Sequence, residues 1–174
     1  MAKNSNLREF QEAILLKLKN VAEQGDVVST SRLGITVGSK RLLVDLNDIT
    51  EVIPVPAVQP VPLTHSWFLG VANIRGNLFN VSDFAQFIGL PAVQKTANNR
   101  VLLLNSLATT QAALLISSLI GLRNIDALKV KTINNDIDFS YCKTAYEDAE
   151  GNDWYEVDMH QLVNDKNFVQ PTVM

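Results

Sequence analysis

Few side chains in this sequence could do chemistry. There are two histidines, His65 and His160, a single cysteine, Cys142, and a run of carboxylates, Glu147, Asp148, Glu150 and Asp153. Neither histidine lies near a serine in a Gly-x-Ser-x-Gly elbow, so acyl transfer has no nucleophile. No His-Glu-x-x-His, paired-cysteine or Gly-x-x-x-x-Gly-Lys-Ser/Thr pattern occurs, which removes the usual zinc and phosphate-loop ligands. The acidic run is similar to a calcium loop in composition only. It lacks the alternating ligand spacing and the terminal glutamate, and it lies between strands, so it reads as a solvated hairpin tip. Asp158 beside His160 would serve a hydrolase only with a nucleophile from elsewhere in the fold. No catalytic residue, metal site or cofactor is expected, and a binding function is.

The stretch that points to binding is Gly70–Phe84, GVANIRGNLFNVSDF, where an arginine and asparagines interrupt apolar runs. If Gly76 and Asn77 form a two-residue turn, Arg75 lies opposite Leu78, Ile74 opposite Phe79, Asn73 opposite Asn80 and Ala72 opposite Val81. Ala72, Ile74, Phe79 and Val81 then share a core face, and Asn73, Arg75, Asn80 and Ser82 a polar one. Two readings of Arg75 stand open at this point. It pairs with a nearby acid such as Glu51, or it is a recognition residue, because arginine is enriched at interface hot spots.

The elements around that hairpin are mainly β. At 174 residues and 47% hydrophobic, the chain can bury one core or two small lobes. A net charge of -3 without a Lys/Arg cluster argues against nucleic-acid binding. One thiol fits a reducing cytoplasm, and Cys142 reads as a plain strand residue. The polar first residues lack the apolar region of a signal peptide. Val101–Leu122 is uncharged, but its centre, Asn105–Gln111, is too polar for a bilayer helix; Arg100–Asn105 and Gln111–Ile120 read as two buried strands.

Leu7, Phe10, Ile14, Leu18 and Val21 form one helical stripe, capped by Ser5 or Asn4 and ended by Gly25. That helix packs on its own domain or is a detachable arm for a partner. From Leu33 the period is two: Leu33, Ile35 and Val37 run out, Gly38–Ser39 turns, and Leu42, Val44 and Leu46 run back. Pro54, Pro56, Pro60 and Pro62 restrict the next stretch to an edge or a surface loop, read as a stiff crossover between two sheets. Asp138–Tyr146 and Trp154–Met159 complete nine or ten strands, Met159–Val163 turns helical, and Trp67 and Trp154 read as core. Together these suggest barrels or a sandwich.

GVANIRGNLFNVSDF resembles the G-V-x-N-x-R-G-x-x-x-x-V-x-D-[LF] signature of CheW-like coupling domains. SRLGITVGSKRLLVDLNDITEVIP is similar to that family's opening hairpin and helical turn, RVLLLNSLATTQAALLISSLIGLRNI to its later strand pair, and DWYEVDMHQLV to its closing strand. The blocks keep the family's order over about residues 28–165. The N-terminal helix and NDKNFVQ are most similar to its pilus-type, PilI-like branch.

The resemblance implies a mainly β fold of two small five-stranded SH3-like barrel lobes sharing a core, with an N-terminal helix. The expected divisions are 1–25 for the helix, 28–168 for the CheW-like domain and 169–174 for a short tail. It also implies a non-enzymatic, cytoplasmic adaptor without cofactor and without membrane insertion of its own. Such an adaptor joins the cytoplasmic tip of a methyl-accepting chemoreceptor, in a membrane-attached array, to a CheA-like histidine kinase. In the pilus-type branch the controlled behaviour is type IV pilus twitching. A ligand-binding or regulatory β-barrel is the other class expected. By position, Arg75 matches the family's receptor-contacting arginine, with Ile49, Glu51 and Asn73 as further receptor-binding positions. Gly70 and Gly76 shape the hairpin and Asp83 holds the turn after it. Two departures touch partner choice. Ile116-Ser117 and Ala113 stand where many members have Val-Asp and glycine, and Pro54–Pro62 is unusually proline-dense.

Overall fold

The structure is a computed structural model in which residues 12–13, 30–105, 111–133 and 139–173 are described. β1 (Ser31–Val37) and β2 (Lys40–Asp45) pair from Val37↔Lys40 to Arg32↔Asp45. This is the register expected from the Gly38–Ser39 turn. Gly38 takes φ +58° at the first turn position, as a type II′ turn requires. There follow β3 (Ile49–Pro54), β4 (Phe68–Ile74), β5 (Asn77–Asp83), β6 (Arg100–Leu104), β7 (Ala112–Ile116), β8 (Ser118–Asn124), β9 (Lys129–Lys131), β10 (Cys142–Glu147) and β11 (Asp153–Val157). Among the described residues from Thr30 onward there are also three short α-helices, α1 (Phe84–Phe87), α2 (Met159–Asn164) and α3 (Lys166–Val169), and 3-10 turns at Leu46–Asp48 and Ile125–Ala127.

The strands form a six-stranded sheet, β8-β1-β2-β11-β10-β9, and a five-stranded sheet, β3-β6-β7-β5-β4. The alternation of side chains sorts each sheet into two faces. One face of each sheet meets in a shared core: Leu33, Ile35 and Val44 from one, Leu102, Leu114 and Ile116 from the other, with Phe84 and Leu162 between them. The opposite faces build a smaller core for each lobe. Ile53, Ala72, Ile74, Val81, Val101, Leu103 and Ala113 fill the five-stranded lobe; Leu43, Tyr146 and Trp154 fill the other. This is the expected two-lobed architecture, except that one lobe has six strands. The extra edge, β9, is a three-residue Lys-Val-Lys strand exposed throughout, too short to carry a periodic signal.

Four expectations change. First, the uncharged run after Arg100 holds three strands, not two. The chain leaves the five-stranded sheet at Ile116 and enters the other at Ser118. Ser117 is the joint: its N–H donates to Thr36 O at 3.0 Å, its Oγ accepts from Gly38 N at 2.9 Å, and its carbonyl accepts from Asn99 Nδ2 at 3.0 Å. With all its backbone groups paired, the bend needs no break in the apolar pattern. Among the described residues no helix is long and apolar enough to cross a membrane.

Second, the proline-rich segment does not link two sheets. β3 ends at Pro54 on one edge of the five-stranded sheet, and the segment returns to that sheet's other edge, β4. There Gln59 N donates to Val71 O at 2.8 Å and Val71 N to Gln59 O at 2.9 Å. Third, the expected tail is tied down. His65 N donates to Pro171 O and Val173 N to Leu63 O, both at 2.8 Å. Fourth, the acidic hairpin tip is built, not merely solvated. Asp148 accepts from Glu150 N, Asn152 N, Asn152 Nδ2 and Trp154 Nε1. The expected helix over Leu7–Val21 lies outside the described residues apart from Glu12 and Ala13, which are helical.

The Trp154 indole, then the Asn152 backbone, hold the Asp148 carboxyl well below its usual range. A group whose folded value is depressed stabilises the fold above its unfolded value, near pH 4, and loses that contribution as pH falls. Asp148→Asn is therefore expected to melt a few degrees below the parent at pH 7. The gap should narrow at pH 3, and thermal melts at the two pH values check it.

Candidate partner-binding site

The β4–β5 hairpin turns one residue earlier than expected, at Arg75–Gly76. Ile74 faces Asn77, Asn73 faces Leu78 and Ala72 faces Phe79. Arg75 takes φ +53° and Gly76 φ +83°, the two positive values of a type I′ turn. The Asn73 side chain selects this turn: its Oδ1 accepts from Gly76 N at 2.9 Å, an Asx-type bond that a Gly76–Asn77 turn would forgo. Each cross-strand partner moves by two positions, so parity is kept and the core face stays as expected. Ala72, Ile74 and Val81 are buried and Phe79 is half-buried. The second face is polar and open only near the tip. Ser82, at its inner end, is buried against the shared core.

Arg75 therefore sits at the tip itself, outside the strand ladder. Its Nη1 donates to Glu51 Oε2 at 2.6 Å and its Nη2 to Oε1. Glu51 belongs to β3 and Arg75 follows β4, and these are the two outer strands of the five-stranded sheet. One ion pair spanning both edges means the sheet curls on itself, and Arg75 clasps it shut. The clasp remains open to solvent: the Arg75 side chain is 71% exposed and that of Glu51 20%. Hydrogen bonds to Glu51, then its charge, raise the guanidinium above its ordinary value, and the charge of Glu12 adds to this. Leu78, one strand position past the turn, is exposed and apolar.

The other expected site residues divide. Asn73 is exposed at the tip beside Arg75. Ile49 is fully buried opposite Leu104 in the shared core, so it shapes the base of β3 and presents no surface to a partner. Gly76 serves the turn. Gly70 serves a different contact: it lies at a bulge in β4 with φ +137°, and a Cβ there would stand 2.0 Å from Gln59 O. Only glycine lets the proline-rich strap approach β4 this closely. Asp83 is buried and caps α1, accepting from Gln86 N at 3.1 Å and from Val93 N at 2.9 Å. These two bonds tie it to the turn after the hairpin. Two residues of the arrangement were not singled out as sites, Leu78 and Ser117. An apolar residue on the polar parity was the available signal for Leu78; for Ser117 it was the departure of Ile116-Ser117 from the family's Val-Asp pair, which did not point to a joint between sheets.

The histidines stay apart. The His65 ring stacks on Trp67, centroids 5.8 Å apart, and His160 is exposed on α2. The Asp158 carboxylate caps α2 through Gln161 N at 3.0 Å and does not serve His160. Trp67 is half-buried against Phe87 at 4.9 Å, and Trp154 is buried. Cys142 is half-buried at the start of β10, and burial pushes its thiol up, away from the reactive form. Among the described residues no group of three or more His, Cys, Asp or Glu could hold a metal ion.

The fold is thus two curled sheets around a shared core, with an exposed charged hairpin at the tip of the five-stranded lobe. The CheW-like domain model matches residues 32–167, and the chain belongs to the CheW-like family, whose members are coupling scaffolds of chemotaxis-type signalling and not enzymes. It is 28% identical over 103 residues to Protein PilI of Pseudomonas aeruginosa, across 59% of this chain and 57% of that protein. The chain thus spans little more than half the length of this relative. Its structure is similar to that of the scaffolding protein TtCheW from Thermoanaerobacter tengcongensis. The TM-score is 0.67 over 82% of this chain and 97% of that one, at 16% identity, so the fold is what the two share.

Proposed function

We propose that this protein is the adaptor that joins a methyl-accepting receptor's cytoplasmic tip to a CheA-like histidine kinase, in a system controlling type IV pilus twitching. The observation that carries the reading is the Arg75–Glu51 clasp. It fixes an exposed guanidinium on a rigid turn beside an exposed leucine. A cation held in place next to an apolar side chain is the anchor type found at interface hot spots. Arg75, Asn73 and Glu51 are the proposed receptor contacts, and the pilus assignment follows the similarity to PilI. Each contact can be weak alone, because clustering in an array raises effective concentration.

Arg75 has a structural role as well, so its test must separate the two. Arg75→Glu is expected to weaken binding of a receptor cytoplasmic fragment by about tenfold or more, in the range of a hot-spot loss. The charge swap Arg75→Glu/Glu51→Arg should restore the clasp and the melting temperature while binding stays weak. Titration calorimetry against the fragment reads the outcome. Full binding by the swapped protein would leave Arg75 a clasp and nothing more.

A further inference from the structure

The C-terminal segment crosses from one lobe to the other. Helices α2 and α3 follow β11 of the six-stranded sheet, while the proline-rich strap joins β3 to β4 of the five-stranded one. Beyond α3, Pro171–Val173 lies antiparallel to Leu63–His65 of the strap. Val173 N donates to Leu63 O and His65 N to Pro171 O, both at 2.8 Å, with Thr64 opposite Thr172. Both partners of this ladder are rooted firmly. Phe168 of α3 is buried and stacks on Trp67 of the strap, centroids 6.2 Å apart, and the Tyr141 hydroxyl donates to Asp165, the cap of α3. The strap's other end is held by the Gln59–Val71 pair. The ladder between these roots is slight. Leu63 takes φ +59°, a left-handed conformation that costs an L-residue free energy. Its side chain is 81% exposed and that of Val173 53%, so little apolar burial offsets the strain. The net gain from two backbone hydrogen bonds is of the same order as that strain.

We propose that Pro171–Val173 is a releasable clip between the two lobes: a strand-accepting site at Leu63–His65 whose occupant is the chain's own tail. Closed, the clip ties the end of the six-stranded lobe to the strap of the other and holds Leu63 in its strained turn. Open, it lets Leu63 relax and frees the second half of the strap, while Gln59 keeps the first half on β4. Both lobes stay folded on opening, because Pro171, Thr172 and Val173 belong to none of the three cores. The clip does not rest on the receptor reading above.

Amide hydrogen exchange on the full, folded chain tests it at the His65 N–H, whose acceptor is Pro171 O. In the parent this amide is expected to exchange at least about tenfold faster than the amides of the β6–β7 ladder, as a locally opening unit does. Val173→Pro removes the N–H given to Leu63 O. It should speed His65 exchange by about three- to tenfold, the worth of one hydrogen bond, and leave β6 and β7 unchanged. Leu63→Gly removes the left-handed strain while keeping both hydrogen bonds, and should slow His65 exchange by about the same factor. Opposite shifts at His65 with the β6–β7 ladder unmoved establish the clip. His65 exchanging as slowly as β6 and β7 in the parent, indifference to both substitutions, or equal acceleration of β6 and β7 in Val173→Pro would overturn it.

Discussion

Gly70→Ala is expected to destabilise the five-stranded lobe by about 3–5 kcal/mol, from backbone strain and lost strap hydrogen bonds together. Two costs coincide at this position. The residue holds φ +137°, and an added Cβ would lie 2.0 Å from Gln59 O, 2.7 Å from Gln59 C and 2.9 Å from Pro60 Cα. All three atoms are main chain, so no rotamer change relieves the clash. The strap that would have to retreat is stiffened by Pro54, Pro56, Pro60 and Pro62, and retreat breaks the reciprocal Gln59–Val71 hydrogen bonds. For a chain of this length the loss corresponds to a fall in Tm of about 10 °C. Gly76→Ala is the control: its φ is +83° but nothing lies within 4 Å of the new methyl, so only conformational strain of about 1 kcal/mol remains. Melting curves within a degree or two of each other for the two variants would show that the strap does not depend on Gly70.

The second large effect lies in the other lobe. Arg32 and Glu156 are both buried, at 7% and 4% exposure, with Arg32 Nε donating to Glu156 Oε1 at 2.7 Å. The Tyr146 hydroxyl donates to Glu156 Oε2 at 3.3 Å, and Arg32 Nη1 donates to Ser31 O. Glu156→Ala leaves a guanidinium inside the lobe without its main counter-charge. The expected loss is about 3 kcal/mol, because a buried guanidinium loses its closest carboxylate and keeps the more distant Asp45 at 3.9 Å. Arg32→Met/Glu156→Leu should recover most of that loss, since both charges leave together. Denaturant unfolding of the two variants decides it; a single variant as stable as the double would contradict the account. Receptor binding by folded Glu156→Ala should match the parent, as Arg75 belongs to the other sheet.

Much of this architecture was legible in the chain. The β1–β2 register follows from Gly38–Ser39 between two alternating runs, because a two-residue loop leaves one pairing only. The edge position of β3 follows from Pro54, which has no N–H to give a neighbour. In the binding hairpin the faces were readable although the turn was not. Moving the turn from Gly76–Asn77 to Arg75–Gly76 shifts partners by two, and the side-chain period is also two. What misled the turn was a side-chain bond, Asn73 to Gly76, which placed an arginine at positive φ against its backbone preference.

By itself, then, the sequence determined the alternating strands, the proline-stiffened strap and the motif of the CheW-like family, since local geometry and hydrophobic period act between near neighbours in the chain. Only the tertiary structure decided the switch of sheets at Ser117, the burial of Ile49 and the pairings of Arg32 with Glu156 and Arg75 with Glu51. The first of those pairs joins residues 124 positions apart and the second 24. Nothing in the local pattern records a contact that exists only after the sheets have curled and packed. For Arg75 the question was whether it pairs with an acid or faces a partner. The fold gives it the pairing with Glu51 and still leaves the guanidinium exposed, because the acid that holds it lies on the opposite edge of a closed sheet.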